Sequence, residues 1–310
     1  MSVPILQRTI AWLAVLAAVL MLATVLLSAY MRLTQAGLGC TPWPACYAQS
    51  ARERPTLRAD DPSGAMAMAR GAHRVVAFGV LVLAVVMVML GRSQAQAAGS
   101  AALRRVTGWI LALVLALALL GVVTPGARLP AVAMGNLLGG FAVLALCWVL
   151  ADRHPPAVRV PVLARAARIA ALVLGLQIAL GALVSSSFAA LSCADWLGCV
   201  ATARDAGWPW SALNPWHEPQ VQGVAPIHPA GAMAQLAHRL FALPAVAASA
   251  VLAMLAWRHQ RRAAAAALAT LLLAQVALGL GVVAAGLPIA LVLAHNAVAA
   301  LLLAVTLRLA

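Results

Sequence analysis

Residues 288–308 read PIALVLAHNAVAALLLAVTLR, an apolar run with one histidine, His295, and no charged residue before Arg308. A helix needs about 20 mostly apolar residues to cross the hydrocarbon core of a bilayer, and this run has that length. Runs of the same character precede it at residues 10–30, 72–91, 107–124, 130–151, 166–187, 231–257 and 263–285. The sequence therefore predicts an all-α polytopic membrane protein with eight transmembrane helices.

The composition excludes a soluble fold. Of 310 residues, 65% are hydrophobic and 9% are charged, whereas an average soluble domain has roughly 25% charged residues. Membrane-spanning barrel strands alternate apolar and polar residues over about ten positions, and these continuous runs do not. The first run is longer than the apolar core of a secretory signal peptide, and no clear cleavage site precedes Cys40. We therefore expect a retained first helix, with a signal peptide as the alternative.

The net charge of +14 would ordinarily suggest that the protein binds nucleic acid. Here the arginines are instead distributed unequally between the two sides of the predicted membrane. If the N-terminus is cytoplasmic, the cytoplasmic segments contain twelve arginines and one acid, Asp152, a net charge of +11. The opposite segments contain seven arginines and six acids, a net charge of +1. By the positive-inside rule, we expect a multi-pass protein of a bacterial inner membrane with both termini in the cytoplasm. Its surface partner is then lipid, not nucleic acid.

The chain contains an internal repeat of about half its length. Three landmarks recur in the same order: Cys-x-x-Trp-x-x-Cys at residues 40–46 and 193–199, Ala-His-Arg at 72–74 and 237–239, and Leu-Pro at 129–130 and 287–288. Because each half has four runs, an even number, both halves cross the membrane in the same sense. We expect two pseudo-symmetric four-helix bundles, one formed by residues 1–155 and the other by residues 156–310.

The cysteines of each loop motif lie on the predicted outer side, which is oxidising in a bacterium. We expect disulfides between Cys40 and Cys46 and between Cys193 and Cys199. The alternative is four free or metal-binding thiols, although zinc normally binds more tightly spaced cysteines. Disulfides here would shape a loop that covers a site, and they could exchange electrons with a thiol partner. Cys147, within the fourth run, is expected to serve packing only.

Three histidines, His73, His238 and His295, fall inside apolar runs, where an ionisable residue usually has a function. His238 and His295 each lie about seven residues from the outer start of a run, roughly 10 Å deep. Two imidazoles at equal depth predict bis-histidine ligation of a heme iron, and Arg239 is placed to neutralise heme propionates. The alternative is a buried histidine that hydrogen-bonds to a neighbouring backbone.

The remaining histidines carry less information. His154 and His259 lie at predicted cytoplasmic helix ends, where no role is expected. His217 and His228 lie in the long third outer loop, and the sequence assigns them no clear role.

In the first half, only one histidine of this pair has a clear counterpart. His73-Arg74 corresponds to His238-Arg239, but the fourth run contains no histidine where His295 predicts one. Asn136 lies at that depth, and its amide is a poor iron ligand. The first pocket thus has His73 and an open sixth position, which suits either a catalytic site or a degenerate one.

The chain resembles the heme A synthase family from end to end. The stretches that carry the resemblance are Arg32-Leu33-Thr34-x-Ala36-Gly37-Leu38-Gly39-Cys40-x-x-Trp43-Pro44-x-Cys46-Tyr47, both His-Arg pairs, Asn136-Leu137-Leu138-Gly139-Gly140, Gln177-Ile178-x-Leu180-Gly181-x-Leu183-Val184-Ser185-Ser186, and His295. The resemblance implies a b-type heme cofactor on His238 and His295 in the second bundle. It implies that the first bundle, with His73 as a catalytic residue and Arg74 near the propionates, oxidises the C8 methyl of heme O to the formyl group of heme A.

The resemblance also implies partners: heme O and heme A, heme O synthase, cytochrome oxidase, and a quinone or thiol electron partner. Two positions depart from the family pattern, because Asn136 replaces a usual histidine and Arg70 replaces a usual glutamate. These departures favour an alternative, a non-catalytic family member that carries electrons on a b-heme or assists oxidase assembly. A transporter is a further alternative, since aligned repeats also occur there.

Overall fold

The computed structural model describes residues 3–36, 38, 43–47, 64–98, 101–124, 129–152, 160–193, 198–219 and 228–310. Within these ranges every regular element is a helix. Eight of them are long: α1 Val3–Gln35, α2 Gly64–Ala98, α3 Ala101–Val123, α4 Pro130–Leu150, α5 Pro161–Ser186, α6 Ala232–Arg258, α7 Arg262–Ala284 and α8 Ile289–Leu307. All eight include a segment long and apolar enough to cross a membrane, which confirms the predicted class and number.

The first two helices extend beyond the apolar runs that predicted them. α1 begins before residue 10 and ends after residue 30, and α2 extends beyond residues 72–91 at both ends. Hydropathy marks only the part of a helix within hydrocarbon, whereas intrahelical hydrogen bonds continue through polar flanks. Ala14 and Ala17 are fully buried in the main core. This packing supports the prediction that α1 is an integral helix.

Prolines and a glycine lie at the ends of several of the long helices. α4 and α5 begin at Pro130 and Pro161, where a missing backbone N–H costs nothing because the first turn has no acceptor for it. α7 ends in a tight turn in which Gly286 has a φ of 70°, a conformation that favours glycine. The short link to Pro288 makes α7 and α8 adjacent antiparallel helices.

The long helices pack in two sets of four. In each set every helix packs against the next one, and the fourth packs against the first, so α1–α4 and α5–α8 each form a closed ring. The two rings meet through contacts of α4 with α5, α4 with α8, and α1 with α8. The fourth helix of each ring is therefore central. The division at residue 155 and the symmetry relating the two halves stay predictions.

The two ends of the central helices differ in packing. At the end away from the cysteine loops, Phe141, Leu144 and Leu302 are buried in one core that includes side chains of both rings. There Arg308 donates to Asp152 through Nε at 2.8 Å and through a terminal nitrogen, which joins the ends of α8 and α4. Toward the cysteine loops, here termed the loop side, residues 131–139 and 291–299 are half-buried throughout, apart from Leu137.

The loops on the loop side cross between the rings. Trp43 and Tyr47 of the first loop pack edge to face, with ring centroids 5.8 Å apart. Both belong to a cluster that includes Phe188, at the end of α5, and Leu293, in α8. In the opposite direction, the carbonyl oxygen of Pro215 in the third loop accepts the N–H of Ala131, in α4, at 2.8 Å. Each loop therefore contacts the other half of the chain.

Candidate functional site

Two of the three predicted histidines lie at one level of one helix ring. His238 is the seventh residue of α6 and His295 is the seventh residue of α8, so both lie about 9–10 Å along a helix from the loop side. α6 and α8 are opposite each other in the second ring, with α5 and α7 between them.

His238 is held by the preceding helix. Gln177 of α5 places its side-chain Nε2 3.2 Å from His238 Nδ1. The same nitrogen donates to the His238 carbonyl oxygen at 3.1 Å. The amide therefore contacts both the ring and the backbone of one histidine, and this restricts the rotation of its ring. Gln177 Oε1 is buried and has no hydrogen-bond partner within the described ranges.

His295 is held in the same manner by α7. Gln275 places its side-chain Nε2 3.1 Å from His295 Nε2. In the part of the chain that the structure describes, Gln275 Oε1 and His295 Nδ1 are both buried without a hydrogen-bond partner. A buried polar atom without a hydrogen-bond partner costs free energy. A ligand that binds one of these two atoms removes the cost for that atom.

Two glycines allow the imidazoles to lie directly on the neighbouring helices. A Cβ added to Gly181 of α5 would be 2.9 Å from His238 Cε1, and one added to Gly279 of α7 would be 3.1 Å from His295 Cε1. Real Cβ atoms almost never approach other atoms as closely as the first of these distances. Glycine at both positions therefore sets the depth at which each ring sits.

These residues fit a heme. A porphyrin supplies four nitrogens to its iron, so two imidazoles complete the coordination. His295 has a buried unpartnered ring nitrogen, and the α8 residues around it are half-buried on every side. Among the described residues, no three His, Cys, Asp or Glu side chains converge as an all-protein metal site would require. The donor set therefore fits axial ligation of a planar cofactor better than it fits a bare metal ion.

The structure does not bring the first-half residues together in the same way. His73 of α2 and Asn136 of α4 are both half-buried. Within the described part of the chain, neither side chain makes a hydrogen bond, so none joins them. Arg70, one turn before His73, is half-buried, and Arg74 is exposed. The catalytic role of His73 and the doubtful role of Asn136 stay predictions.

Arg239 follows His238 and is half-buried, and it takes part in an interaction of its own. Its predicted contact with propionates stays a prediction, as does that of Arg74. A further arginine lies at the loop side between the rings: Arg32 Nε of α1 donates to Ser185 Oγ of α5 at 3.2 Å. These two positions are separated by 153 residues, the same separation as that of Cys40 and Cys193.

The predicted disulfide between Cys193 and Cys199 is confirmed, with Cα atoms 4.8 Å apart. Cys46 is also disulfide-bonded, whereas its predicted partner, Cys40, lies outside the described residues. Cys147 is a buried free cysteine, as expected for a packing role.

The two loop histidines differ in environment. His217 is exposed. His228 is buried beside Gly231, and burial lowers the pKa of its imidazole. Neither is placed with His238 or His295 by any contact within the described ranges, so neither joins the site.

Sequence reasoning missed the role of the two glutamines. Gln177 lies within a stretch that resembles the heme A synthase family, and Gln275 lies within the seventh apolar run. A usable signal was present, because Gln177 and Gly181 are separated by four residues, as are Gln275 and Gly279. Such a Gln-x-x-x-Gly pattern places the amide and the glycine on one face of a helix, one turn apart.

Fold and site together define an all-helical polytopic membrane protein with two half-buried imidazoles, each contacted by a glutamine. The model of the cytochrome oxidase assembly protein family matches residues 11–307, so the chain belongs to that family. A heme A synthase of Shewanella oneidensis is 32% identical over 321 aligned residues, which cover 94% of this chain and 93% of that protein. A heme A synthase of Rhizorhabdus wittichii is 35% identical over 135 residues, 44% of this chain and 36% of that protein.

Proposed function

We propose that the chain is a heme A synthase, a membrane oxidoreductase that converts the C8 methyl group of heme O to the formyl group of heme A. The observation that carries this proposal is the pair of glutamine-held imidazoles, His238 and His295. It occurs in a chain that aligns over 94% of its length with a heme A synthase. Membership of the cytochrome oxidase assembly protein family supports the same role.

His238 and His295 are the residues that would hold a b-type heme. Held by both imidazoles, such a heme would supply electron transfer. Arg239 is placed to neutralise its propionates.

The substrate is expected in the other half. His73 would bind heme O there, with Arg74 near its propionates. In the overall reaction the methyl group and one water yield the formyl group, four protons and four electrons. The electrons require an acceptor, for which a quinone or an oxidised thiol partner is the expected class. Heme O synthase and cytochrome oxidase are the expected supplier and recipient of the two hemes.

The proposed location is a bacterial inner membrane, with both termini in the cytoplasm and the cysteine loops on the oxidising side. The charge difference of +11 against +1 supports this orientation. The disulfide between Cys193 and Cys199 supports it as well, because disulfides persist in oxidising compartments.

The decisive experiment is extraction of the hemes from purified protein, followed by mass analysis, with and without a co-expressed heme O synthase. We expect heme b in both preparations and heme A only in the second. Unchanged heme O in the second preparation would contradict the synthase activity.

Replacement His295→Ala tests the cofactor site separately. We expect it to abolish the low-spin heme spectrum, because the iron loses one axial ligand. The matched control is His217→Ala, at an exposed loop histidine, which should leave the spectrum unchanged. A His295→Ala protein with the wild-type spectrum would remove His295 from the site.

A second candidate function is a non-catalytic b-heme protein, either an electron carrier or an oxidase assembly factor. Asn136 and Arg70 favour it, because both replace residues usual in the family and both fall in the substrate half. Replacement Asn136→His distinguishes the candidates. More heme A in this variant indicates a synthase with a weakened substrate site, whereas one b-heme and no formyl product in either protein supports the second candidate.

A further inference from the structure

Gln177 and Gln275 hold the two histidines through one repeated arrangement. In each case the glutamine lies on the helix before the histidine, its Nε2 lies 3.1–3.2 Å from a ring nitrogen, and a glycine four residues later lies against Cε1 of that ring. The arrangement occurs once between α5 and α6 and once between α7 and α8. Two occurrences, one at each of the two half-buried imidazoles, indicate a shared purpose.

The chemistry of an imidazole explains what an amide does there. A ring nitrogen that binds iron must present a lone pair, so the other ring nitrogen carries the proton. A hydrogen-bond acceptor at that proton sets the tautomer, orients the ring and raises the basicity of the ligand. Gln177 Oε1 and Gln275 Oε1 are buried and unpartnered within the described ranges. A half-turn of the Gln275 amide brings such an acceptor to the His295 ring.

In the first half, the two positions that correspond to these glutamines hold other residues. Cys40 and Cys193 are 153 residues apart, and at that spacing Gln177 corresponds to Thr24, whose hydroxyl donates to the Leu20 carbonyl of its own helix at 2.9 Å. Pro130 and Pro288 are 158 residues apart, and at that spacing Gln275 corresponds to Leu117, an apolar side chain. His73 accordingly makes no side-chain hydrogen bond in the part of the chain that the structure describes.

We propose that Gln177 and Gln275 are positioning residues that fix the two axial histidines and so make the second-half heme a resident cofactor, whereas the unheld His73 allows the first-half heme to exchange. The proposal rests on the proposed function. An oriented ligand returns to the iron readily after dissociation, so heme escapes slowly from this site. A substrate heme must instead enter and leave, for which a histidine without such a hydrogen bond is suited.

The test uses purified full-length protein with its heme, and the variants Gln177→Leu and Gln275→Leu. Leucine keeps the side-chain volume and removes the amide. Two readouts apply: the rate of heme transfer to excess apomyoglobin, and the low-spin ferric signal in electron paramagnetic resonance. We expect heme loss about 10–100-fold faster than in the wild type, the usual effect of removing a partner of a metal-bound histidine, together with a broadened low-spin signal.

The matched control is Gln235→Leu. Gln235 is a buried glutamine of α6, one turn before His238, whose Nε2 donates to the Ala190 carbonyl oxygen at 2.9 Å and not to an imidazole. Its replacement removes one buried amide that makes no hydrogen bond to either imidazole. If Gln177→Leu and Gln275→Leu release heme at the rate of Gln235→Leu and show the same low-spin signal, the proposal is overturned.

Glutamate variants keep the test informative if a leucine variant fails to fold. Gln275→Glu retains an oxygen acceptor at the ring, so we expect the heme to be retained and its midpoint potential to fall as the ligand becomes more basic. Gln177→Glu loses the N–H that binds the His238 carbonyl oxygen, so we expect faster heme loss. A Gln275→Glu protein with unchanged midpoint potential contradicts the proposed contact with the ring.

The two proposals fail in different ways. Wild-type protein without a low-spin b-heme would remove the cofactor site itself before any variant is compared. A normal low-spin heme in the wild type, with glutamine variants that match the Gln235→Leu control, would remove only the positioning role.

Discussion

At the scale of single residues, two glycines set the distance between an imidazole and the helix beside it. Cε1 of His238 lies so close to Gly181 that an added Cβ would be only 2.9 Å from it. The corresponding distance from an added Cβ at Gly279 to Cε1 of His295 is 3.1 Å. The absence of a side chain at these two positions therefore permits the close approach of each imidazole. Its effect can be tested without altering any donor or acceptor of the site.

We expect Gly181→Ala to displace His238 and weaken heme retention, at a cost of about 1–3 kcal/mol for an overpacked contact. Gly279→Ala should have a smaller effect, since its clearance is 3.1 Å against 2.9 Å. The measurement is heme bound per protein and the position of the low-spin absorption bands.

The control is Gly175→Ala, on the same helix α5. A Cβ there meets no heavy atom within 4 Å, and alanine favours a helix more than glycine does. Heme content should be unchanged in this variant. Equal heme content in Gly181→Ala and Gly175→Ala would show that the close approach has no consequence.

At the scale of elements, the first loop belongs by sequence to the first half but packs on the second. Tyr47 is 1% exposed and lies in a cluster with Leu287 and Leu293, at the start of α8. His295 is two residues after Leu293, so this loop covers the loop-side end of the helix that carries it. Covering elements of this kind control solvent access to a buried cofactor.

Tyr47→Ala should lower the melting temperature, because truncation of a buried aromatic side chain costs roughly 3–5 kcal/mol. It should also speed reduction of the second-half heme by dithionite, since water and reductant gain access. The control is Trp216→Ala, because Trp216 is 72% exposed in the third loop. If both variants behave alike, the first loop does not cover the heme.

Tyr47 also predicts a pH dependence. Burial raises the pKa of its hydroxyl, which hydrogen-bonds with the Ala190 backbone. Above about pH 10, the usual tyrosine value, the unfolded chain loses this proton while the folded protein keeps it. The free energy of unfolding should therefore fall as the pH rises above 10. Tyr47→Phe should reduce that fall, and an identical pH profile in the two proteins would contradict the assignment.

At the scale of the whole molecule, the two ends of the helix rings differ in how they are packed. The two rings share a core at the end away from the cysteine loops, where Arg308 and Asp152 pair. The hydrogen bond to Asp152 raises the pKa of Arg308 and outweighs burial, which lowers it. The loop side instead contains the less tightly packed parts of α4 and α8 and both imidazoles.

Reporter fusions test the proposed orientation. Alkaline phosphatase, which is active only after export, should be inactive when fused after Ala310 and active when inserted near His217, in the third loop. A green fluorescent protein fusion after Ala310 should fluoresce. The opposite pattern would reverse the topology and place the cysteine loops in the cytoplasm, where the disulfides would not persist.

Much of this molecule could be predicted from its sequence. The eight helices follow from apolar runs of membrane-spanning length, and His238 and His295 are conspicuous because each is the one histidine of its run. The Cys193–Cys199 bridge follows from spacing and compartment. These features are local, since each depends on residues close together in the chain and on the energy of placing them in lipid.

Only the tertiary structure decided which distant residues meet. Gln275 reaches His295, and Tyr47 reaches the start of α8, through the rotation of each helix about its own axis and the path of each loop. Hydropathy predicts neither the rotation of a helix nor the path of a loop, because lipid-facing and partner-facing positions of a membrane helix are almost equally apolar. The contacts between helices, rather than the transfer of each helix into lipid, therefore determine how the two histidines are held.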